Sequence, residues 1–567
     1  MSQNQSNQPD QSGQSVGDDL NECRLNQTVR IPPLEKKTDS VARNGKLLVL
    51  NGSLQGREFI LNKDQCLIGA DPTCDIILND PTVSRRHCEI RFTPTGCLLR
   101  DLGSTNGTFV FGVRISEMSL DYGAEFRLGQ TNLVFRSVKD AGKYIPGRGS
   151  LFGKRFDLSL AIQKFSSHGI GYSVADWGDV RHVFAAAVPR RGTTLAEQAD
   201  DALRIIEAVI SVHGAQGAIV QQAVFLPDPA LIDECRGIIH RFYGKDLPAT
   251  SYIAQPPCEG KLIAIEAIGL GSGRKDAEIT RVSEQLVIAR HSGMAWTHAA
   301  LVAPRTSAGG AYEQGVSAFR QLKTLLGSVN MRMEQVFRTW IYQGGIVADE
   351  GTSQRYKELN RARTDEYQGL QFLSDRLPKG HPPGVYPAST GIGTEGRGLE
   401  LSAIALTTDR PEVLTVPLEN PRQTAAYDYS VKYGAKSPKF SRAMAVTCGN
   451  YAMIFISGTA SITAEETRHI GDAAGQASET LENIAALISE ENLSRHGLPG
   501  LGTTLAGMGL ARVYIKRKED YSRVRAVCEE RLGELPTIYA VADVCRPDLL
   551  VEIEGIALSR NVLALRH

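Results

Sequence analysis

Three stretches of the chain repeat one short apolar pattern, namely LIAIEAIGL at residues 262–270, LELSAIAL at residues 399–406 and LVEIEGIAL at residues 550–558. Each stretch follows a segment in which helical and strand patterns alternate. Self-similarity of this kind indicates a chain assembled from copies of one structural unit. The sequence therefore predicts three related units, and in each of them the repeated stretch forms the closing strand.

Within each predicted unit, β runs are followed by a helix, a strand, a second helix and the closing strand. Apolar residues at helical spacing predict the first helices at 194–209, 312–326 and 463–489. The second helices are predicted at 229–243, 353–372 and 520–532. Helices gathered on one face of a sheet give an α+β architecture. We place the three units at residues 159–275, 285–408 and 409–567.

A different pattern precedes the units. Residues 1–45 are rich in Gln, Ser, Asn and Asp and carry too little apolar surface to offset the entropy of ordering, so we expect a disordered tail. Residues 46–137 carry short β runs separated by Gly, Asn, Asp and Pro turns, which is typical of a β-sandwich. A linker is predicted at residues 138–158. The predicted fold class is a multi-domain chain, with an amino-terminal β-sandwich followed by α+β repeats.

The composition limits the classes of partner that we expect the chain to bind. Lys+Arg and Asp+Glu number 63 each, and this balance argues against a general surface for nucleic acid or anionic membranes. No apolar run approaches the ~20 residues of a membrane helix, and the first twenty residues lack the apolar core of a signal peptide. The ten cysteines include no C-x-x-C pair, so we expect neither a disulfide framework nor a metal site. The expected location is a reducing cytoplasm.

Three motifs in the amino-terminal region together resemble the forkhead-associated (FHA) domain: IGADPTCDIIL at residues 68–78, PTVSRRH at 81–87 and DLGSTNGT at 101–108. The resemblance implies binding of a protein that carries phosphothreonine, through loops at one end of the sandwich. It implies that Ser84 and Arg85 meet the phosphate, that Asn106, beside Thr105, holds the peptide backbone, and that His87 braces the loop. Guanidinium and hydroxyl donors suit such an anion.

One position departs from the FHA pattern. The family usually carries Arg after the Ile-Gly of the first motif, whereas this chain has Ala70. The missing Arg removes a charge-assisted hydrogen bond worth about 1.5–3 kcal/mol. Arg86 is a possible substitute. The alternative is that Ser84, His87 and Asn106 serve only the structure of the loops.

The helix-and-strand order of the units resembles the YjgF/RidA fold, whose small proteins form trimers with sites between subunits. Three copies in one chain would close the same ring as a pseudo-trimer. The last two units resemble the chorismatase family more narrowly, because seven segments match in order. These are FRTW at 337–340, Tyr356 to Arg363, YPASTGIG at 386–393, YGAKSPKFSR at 433–442, SGTASI at 457–462, RHIGD at 468–472 and DVCRPDLLVEIE at 543–554.

Chorismatases split pyruvate from chorismate, a dianion with an enol ether, and release either 3-hydroxybenzoate or a dihydroxy-cyclohexadiene carboxylate. Such a substrate needs cations with fork geometry and a proton donor. Arg363 and Arg442 are the candidate carboxylate clamps, with Tyr433 beside them. An Arg on a helix or near a turn is otherwise often merely solvated. The resemblance implies no cofactor.

Glu552 is the candidate acid, because a carboxyl in an apolar strand loses its hydration and its pKa rises. Ala264 and Glu400 take its place in the first two units, so the first unit is predicted to be scaffold. Glu554 is an alternative acid, but its counterpart Glu266 in the first unit favours a structural role. A carboxylate that faces water from an edge strand remains an alternative for Glu552.

Gly458, followed by Thr459, and Cys545 complete the candidate site. A small residue and a cysteine at these places resemble the family's branch that forms 3-hydroxybenzoate, although a lone cysteine is commonly just a small buried hydrophobe. The leading hypothesis is a chorismatase-like enzyme with an FHA module that docks to a phosphorylated partner. The alternative is a non-catalytic FHA scaffold or metabolite sensor with a decayed enzyme part. An imine deaminase of the RidA type is less favoured, because Ile538 stands where that family has Arg.

Overall fold

The computed structural model describes residues 45–93, 96–110, 113–115, 117–120, 124–138, 162–167, 169–177, 180–213, 219–271, 277–305, 309–382 and 384–561. The predicted tail at residues 1–45 and the predicted linker at residues 138–158 lie outside this part of the chain, apart from one residue each, and stay predictions. None of the helices within the described ranges is long and apolar enough to cross a membrane.

The amino-terminal part consists of short strands in two sheets. The strands are β1 (Gly45–Val49), β2 (Glu58–Leu61), β3 (Gln65–Gly69), β4 (Ile76–Ile77), β5 (Cys88–Thr93), β6 (Gly96–Asp101), β7 (Thr108–Val110), β8 (Val113–Ile115), β9 (Glu117–Leu120), β10 (Glu125–Leu128) and β11 (Thr131–Ser137). One sheet has the order β2-β1-β11-β10-β7-β8 and the other β4-β3-β5-β6-β9. Alternate residues, such as Phe126 and Leu128 of β10, are buried in one apolar core, as the period of a strand requires.

The rest of the chain forms three larger sheets. Unit 1 (residues 162–271) contains β12 (Ile162–Ser167), β13 (Ile170–Trp177), β14 (Val180–Ala187), β15 (Ile219–Leu226), β16 (Ala249–Ala254) and β17 (Ala264–Gly271). Unit 2 (residues 278–408) contains β18 (Glu278–Ser283), β19 (Leu286–His291), β20 (Met294–Val302), β21 (Val336–Gly344), β22 (Asp349–Glu350), β23 (Ser353–Gln354), β24 (Ala388–Thr394) and β25 (Leu399–Thr408). Unit 3 (residues 415–560) contains β26 (Thr415–Leu418), β27 (Ala443–Cys448), β28 (Tyr451–Ala460), β29 (Ile462–Thr463), β30 (Glu466–Thr467), β31 (Met508–Ile515), β32 (Thr537–Val541) and β33 (Val551–Arg560).

All three sheets have the same strand order. They read β12-β13-β14-β17-β15-β16, β18-β19-β20-β25-β21-β24 and β26-β27-β28-β33-β31-β32. In each sheet the closing strand lies in the middle, antiparallel to both neighbours, and the last two strands in the order run parallel to each other. Parallel neighbours need a crossover, which a helix supplies in every unit. The repeated stretches at residues 264–271, 399–408 and 551–560 are these closing strands.

The helices are α1 (Leu195–Val212) and α2 (Ile232–Tyr243) in unit 1, α3 (Ala311–Gly327) and α4 (Arg355–Glu366) in unit 2, and α5 (Ala473–Ile488), α6 (Glu490–Arg495) and α7 (Tyr521–Leu532) in unit 3. Two predicted helices are wrong in extent. The helix predicted at 463–489 begins only at Ala473, because Asp472 caps it and the chain turns upstream at His469, whose φ is 53°. The helix predicted at 353–372 is shorter at both ends, and the chain beyond it turns at Gly369 with φ of 79°.

The ladders around the closing strands define equivalent positions. Glu552 pairs with Tyr514, Glu400 with Tyr342 and Ala264 with Phe225. These three positions are therefore equivalent, as the sequence repeat predicts, and the next inward positions are Glu554, Ser402 and Glu266.

Each unit contacts both of the others along its edge strands. We call these contacts the 1–2 seam, where β16 meets β20, the 2–3 seam, where β24 meets β28, and the 3–1 seam, where β32 meets β14 and β17. Backbone and side-chain hydrogen bonds cross them. Ser389 N donates to Ser457 Oγ at 2.9 Å in the 2–3 seam, and Cys258 N donates to Tyr539 O at 3.0 Å in the 3–1 seam.

One apolar core draws residues from all three units and contains three buried histidines. His182 and His291 lie with their ring centroids 5.3 Å apart, and His298 Nδ1 lies 3.0 Å from Gln221 Oε1. Burial lowers the pKa of His291 to about 4 and that of His298 to about 3, and lowers the pKa of His182 well below its usual value.

These histidines predict acid sensitivity. A histidine whose pKa is lower in the folded than in the unfolded chain costs stability as the pH falls below about 6.5, by about 1.4 kcal/mol per pH unit. We expect His182→Phe to remove one such contribution. The free energy of unfolding of the variant, relative to that of the wild type, should therefore increase by about 2 kcal/mol between pH 7 and pH 5. Urea unfolding at both pH values measures this difference, and a difference that does not change with pH contradicts the prediction.

Candidate active site in the 2–3 seam

Two arginines are buried in the 2–3 seam. Arg363, in the last turn of α4, is 1% exposed, and Arg442, which directly precedes β27, is 3% exposed. Arg363 donates to Asn360 and to Ser389 Oγ, the latter at 3.3 Å. Arg442 donates to the carbonyl of Thr424 at 2.8 Å and to Tyr429 Oη at 2.6 Å. The Nε atoms of both arginines have no hydrogen-bond partner.

Neither arginine forms an ion pair with a carboxylate of the described residues, in contrast to Arg338 and Arg512 nearby. A buried cation without an acid partner is costly, because its hydration is lost and no opposite charge replaces it. Both guanidinium groups face the ring of Phe440, at 5.6 Å for Arg363 and 5.5 Å for Arg442. The seam therefore holds two cations with free donors near one aromatic ring, which suits a ligand with two anionic groups.

Glu552 projects from β33 into the same region. It is 4% exposed, and among the described residues no group donates a hydrogen bond to its carboxyl. Burial and the neighbouring carboxylate of Glu554 raise its pKa to about 8, against the opposing effect of Arg338 and Arg442. The carboxyl therefore carries a proton at neutral pH and has no internal acceptor for it.

Tyr356 connects these groups. Its pKa is raised by burial and by Cys545, and Arg363 and Glu552 also act on it, so the phenol lies within electrostatic reach of both. Gly391 makes room for it, because a Cβ at that position would stand 3.2 Å from Cε2 of Tyr356. The sequence motif contained Tyr356 only as the start of a matching segment and gave no signal for this place.

Glu554, the alternative acid, is fully engaged. It accepts hydrogen bonds from Trp340 Nε1 at 2.8 Å and Tyr514 Oη at 2.6 Å, and it pairs with Arg338 and Arg512. Although burial alone would raise its pKa, these cations lower it below the usual value. An ionised carboxylate with every acceptor position occupied has no proton to give, which agrees with the structural role expected for this position.

Gly458 lies in a bulge of β28 beside the acid. A Cβ at this position would stand 2.1 Å from Glu552 Oε1 and 3.1 Å from Thr390 Cγ2. Gly458 N donates to Thr390 Oγ1 at 2.9 Å, which fixes the bulge against unit 2. The acid can occupy its place only because residue 458 has no side chain.

Gly458→Ala therefore tests the packing of the acid. We expect the added methyl group to displace the Glu552 carboxyl and to lower kcat by about tenfold or more, since a displacement near 1 Å can cost ~100-fold. Steady-state kinetics with thermal unfolding as a control measures this effect. Unchanged kcat in a folded variant would mean that the carboxyl does not need its observed position.

The remaining predicted residues lie at different distances from the acid. Cys545 is half-buried beside Glu552, and burial and this neighbour raise the pKa of its thiol to about 12, so it stays a neutral thiol. Thr459 is buried and donates to Ser457 O at 2.9 Å. Tyr433 lies one layer further out, against the ring of Tyr429 and the guanidinium of Arg546.

Glu419 is a residue that sequence reasoning missed. Burial raises its pKa to about 7, opposed by Arg442, which lies close to it. It stands directly after β26, and no motif marked it. Within the described residues no cluster of three His, Cys, Asp or Glu side chains is arranged to hold a metal ion.

The other two seams lack this constellation. In the 1–2 seam Glu400 is equivalent to Glu552, and burial raises its pKa to about 8 as well. However, Gln285 takes the place of Arg442, since Ala300 N bonds to Gln285 O as Ser457 N bonds to Arg442 O. In the 3–1 seam the acid position is Ala264. Only the 2–3 seam therefore combines an acid with free cations.

The predicted phosphopeptide residues lie together at one end of the amino-terminal sandwich. His87 is buried, accepts from Ser84 N at 3.0 Å and lies 3.0 Å from Gly107 O. Thr105 N donates to Ser84 Oγ at 3.0 Å, and Asn106 Nδ2 donates to Thr82 O at 2.8 Å. His87 thus joins the two loops that contain the other residues.

The cations at this end are exposed. Arg85 and Arg86 both face solvent and both help to lower the pKa of Asp71, after the hydrogen bonds from Thr73. Ala70 N donates to Ser84 O at 3.1 Å, so the backbone of the first motif meets the second although the usual arginine is missing.

Comparisons with known proteins divide the chain in two. A family model described as the inner membrane component of T3SS, cytoplasmic domain, matches residues 48–139. The oxoglutarate dehydrogenase inhibitor of Corynebacterium efficiens is 36% identical over 104 residues, which are 18% of this chain and 73% of that protein. The amino-terminal part is therefore similar to that protein, and its three sequence motifs resemble those of FHA domains.

The carboxy-terminal part matches enzymes. The chorismatase of Streptomyces rapamycinicus is 35% identical over 275 residues, which are 47% of this chain and 77% of that protein. The 3-hydroxybenzoate synthase of Streptomyces hygroscopicus is 36% identical over 229 residues, which are 39% of this chain and 63% of that protein, so less than two thirds of its length is spanned. The carboxy-terminal part of the chain belongs to the chorismatase family, and it follows an amino-terminal FHA-like β-sandwich.

Proposed function

We propose that the 2–3 seam splits pyruvate from chorismate. The observation that carries the proposal is the pair Arg363 and Arg442, two buried cations that form no ion pair among the described residues and that face one ring. Chorismate has two carboxylates, and each would replace the hydration that a buried guanidinium has lost. The relatives named as chorismatase and 3-hydroxybenzoate synthase support the same chemistry.

Glu552 supplies the proton in the proposed reaction. Its pKa of about 8 keeps the carboxyl protonated at neutral pH, and an uncommitted carboxyl can donate to the methylene carbon of the enol ether. Protonation there leaves a carbocation that the ether oxygen stabilises. Cleavage of the bond between the ether oxygen and the ring carbon then releases pyruvate, with the ether oxygen as its keto oxygen. The ring cation that remains is captured by the oxygen of the neighbouring hydroxyl and returns one proton to the Glu552 carboxylate, which gives 3-hydroxybenzoate. Cleavage on the other side of the ether oxygen requires prior attack of water on the carbocation and gives the dihydroxy acid.

The atoms balance in both of the possible product branches. Pyruvate and 3-hydroxybenzoate together have the composition of chorismate, whereas pyruvate and a dihydroxy-cyclohexadiene carboxylate require one added water. We propose the first branch, because Gly458 and Cys545 resemble the aromatising enzymes. The neutral thiol of Cys545 serves as a small apolar wall rather than as a nucleophile.

We further propose that the three units form a pseudo-trimer of the YjgF/RidA type. The shared strand order and the three seams support it. The FHA domain would dock the enzyme to a protein that carries phosphothreonine, with Ser84, Arg85, Thr105 and Asn106 at the peptide. Arg86 is the candidate for the charge that Ala70 does not supply.

Incubation of the purified full-length chain with chorismate tests the enzyme. We expect pyruvate, measured with lactate dehydrogenase, and an equal amount of 3-hydroxybenzoate, measured by chromatography. Absence of pyruvate from a folded protein would contradict the proposal and leave a non-catalytic phosphopeptide reader. Pyruvate together with a dihydroxy acid would correct only the branch.

A phosphothreonine peptide library tests the docking module. We expect the full-length chain to retain peptides that carry phosphothreonine and to ignore the same peptides without phosphate. Ser84→Ala should abolish retention without changing chorismate turnover. Equal retention of both peptide forms would show that these loops serve only the structure of the domain.

A further inference from the structure

We propose that Glu266 of unit 1 is a positioning residue for the acid Glu552, through Arg512 and Glu554. The proposal rests on the function assigned to Glu552 and goes beyond it, because it gives a role in catalysis to the unit that lacks an acid. None of the residues described above for the site in the 2–3 seam belongs to unit 1. Unit 1 nevertheless provides one end of a continuous series of contacts that ends two residues from Glu552.

The series of contacts begins with a bidentate ion pair between Arg512 and Glu266. Arg512 of β31 donates from Nε and from Nη2 to the two oxygens of Glu266, both at 2.7 Å. Its remaining nitrogen, Nη1, donates to Tyr342 Oη at 2.8 Å and to Glu554 Oε1 at 3.2 Å. All three units thus meet at one guanidinium. The bidentate pair with Glu266 fixes the plane of the Arg512 guanidinium group. Nη1 is therefore the nitrogen that remains for Glu554.

The buried charges in this cluster balance. Glu266 and Glu554 are matched by Arg338 and Arg512, and the two guanidinium groups face the ring of Trp340 at 4.4 Å and 5.4 Å. Burial opposes the charge on Arg512, but Glu266 and the other acidic neighbours outweigh it and raise its pKa well above the usual value. Arg512 is shared with Glu266, so Glu554 receives only part of its positive charge. The unneutralised remainder of Glu554 favours the protonated form of Glu552.

The groups that face Glu552 come from every packed element. They are Glu554 on its own strand, Tyr514 of β31, Arg338 of β21, Tyr356 of α4, Arg442 before β27 and Cys545 in the loop before β33. Only Glu554 and Arg338 of these belong to the charge cluster. A change at Glu266 therefore reaches Glu552 through the charge cluster, in which Arg512 and Glu554 form the hydrogen-bonded part, and not through the walls of the pocket.

Loss of the charge at Glu266 should lower the pKa of Glu552. In Glu266→Gln, Arg512 loses its main partner and its charge becomes available to Glu554. Glu554 then disfavours the ionised form of Glu552 less, so the pKa of Glu552 falls. Because the protonated acid is the active form, the pH above which kcat declines moves down, by about half a pH unit or more.

The charge-balanced double variant should reverse the downward shift in the pH at which kcat declines. Glu266→Gln with Arg512→Gln removes one charge of each sign, which avoids an uncompensated buried cation and favours folding. Glu554 then retains Arg338 alone and repels the ionised form of Glu552 more strongly. The decline of kcat should stay at the wild-type pH or move above it, a reversal that a merely structural role of Glu266 does not produce.

The experiment measures kcat from pH 6 to pH 10 for the full-length wild type, the single variant and the double variant. Glu259→Gln is the matched control, since Glu259 also lies in unit 1 and accepts from Tyr521 of unit 3 at 3.1 Å, outside the cluster. We expect a downward shift in the single variant, its reversal in the double variant and no shift in the control. The same pH dependence in wild type and folded Glu266→Gln, or equal downward shifts in both cluster variants, would overturn the proposal.

A second readout does not need turnover. The infrared carbonyl band of a protonated carboxyl, taken as wild type minus Glu552→Gln, reports the titration of Glu552 itself. We expect the band to persist to about pH 8 in the wild type and to disappear at lower pH in the Glu266→Gln background. If chorismate is not turned over but the band shifts as expected, only the proposed function fails. If turnover occurs and the band does not shift, only the coupling through Arg512 fails.

Discussion

We expect Glu552→Gln to lower kcat for pyruvate release by about 100- to 10,000-fold, the contribution of a positioned general acid. The amide has nearly the shape of the protonated carboxyl but no proton of suitable acidity, so substrate binding changes little. In the wild type, we expect activity to be lost as the pH rises through about 8, because the buried carboxyl then ionises. Steady-state kinetics across this pH range measures both effects.

Glu400→Gln is the control for this variant. Glu400 occupies the equivalent position of unit 2, is likewise buried and has a pKa raised to about 8. It lies in the 1–2 seam, where Gln285 replaces the cation, so we expect wild-type kcat. Equal losses in both variants would mean that the effect comes from disturbing a closing strand, and a fully active Glu552→Gln would exclude this residue as the acid.

Arg363→Met separates binding from stability. The variant loses one of two carboxylate clamps, so kcat/KM should fall by a factor that corresponds to about 2–5 kcal/mol. The free energy of unfolding should stay unchanged or rise, because a buried cation without an acid partner is removed. Chorismate kinetics and urea unfolding of the same preparation provide the two numbers.

Arg512→Met provides the opposite case. Its guanidinium is also buried but holds Glu266 and Glu554, so its removal leaves buried carboxylates uncompensated and costs about 3–5 kcal/mol of stability. If Arg363→Met destabilised the protein as much as Arg512→Met does, Arg363 would be a structural residue. Unchanged kcat/KM in Arg363→Met would remove it from the substrate site.

The sequence predicted the repeat well because the closing strands lie in the middle of their sheets. A central strand is buried on both faces, so its apolar pattern persists through divergence, as at Ile265, Leu401 and Ile553. The equivalence of Ala264, Glu400 and Glu552 could therefore be read from the repeat alone. The start of α5 could not, because short polar segments around His469 carry no apolar period that distinguishes a helix from a turn.

The sequence predicted residues of the candidate site only where these residues lie in the segments that match the family. Nothing in the sequence separates Arg363 and Arg442, which lack an acid partner, from Arg338 and Arg512, which have one. That difference depends on long-range pairs such as Arg512 with Glu266, 246 positions apart in the chain. The place of Tyr356 depends on Gly391 from another strand, and such packing has no local signature.

A crystal structure of Glu552→Gln soaked with chorismate tests the central claim most directly, since we expect the variant to bind chorismate and to consume it only slowly. We predict one chorismate in the 2–3 seam, with its carboxylates on Arg363 and Arg442 and the enol ether methylene next to residue 552. Chorismate bound in another seam or on the surface, while the 2–3 seam stays empty at saturating concentration, would contradict the account.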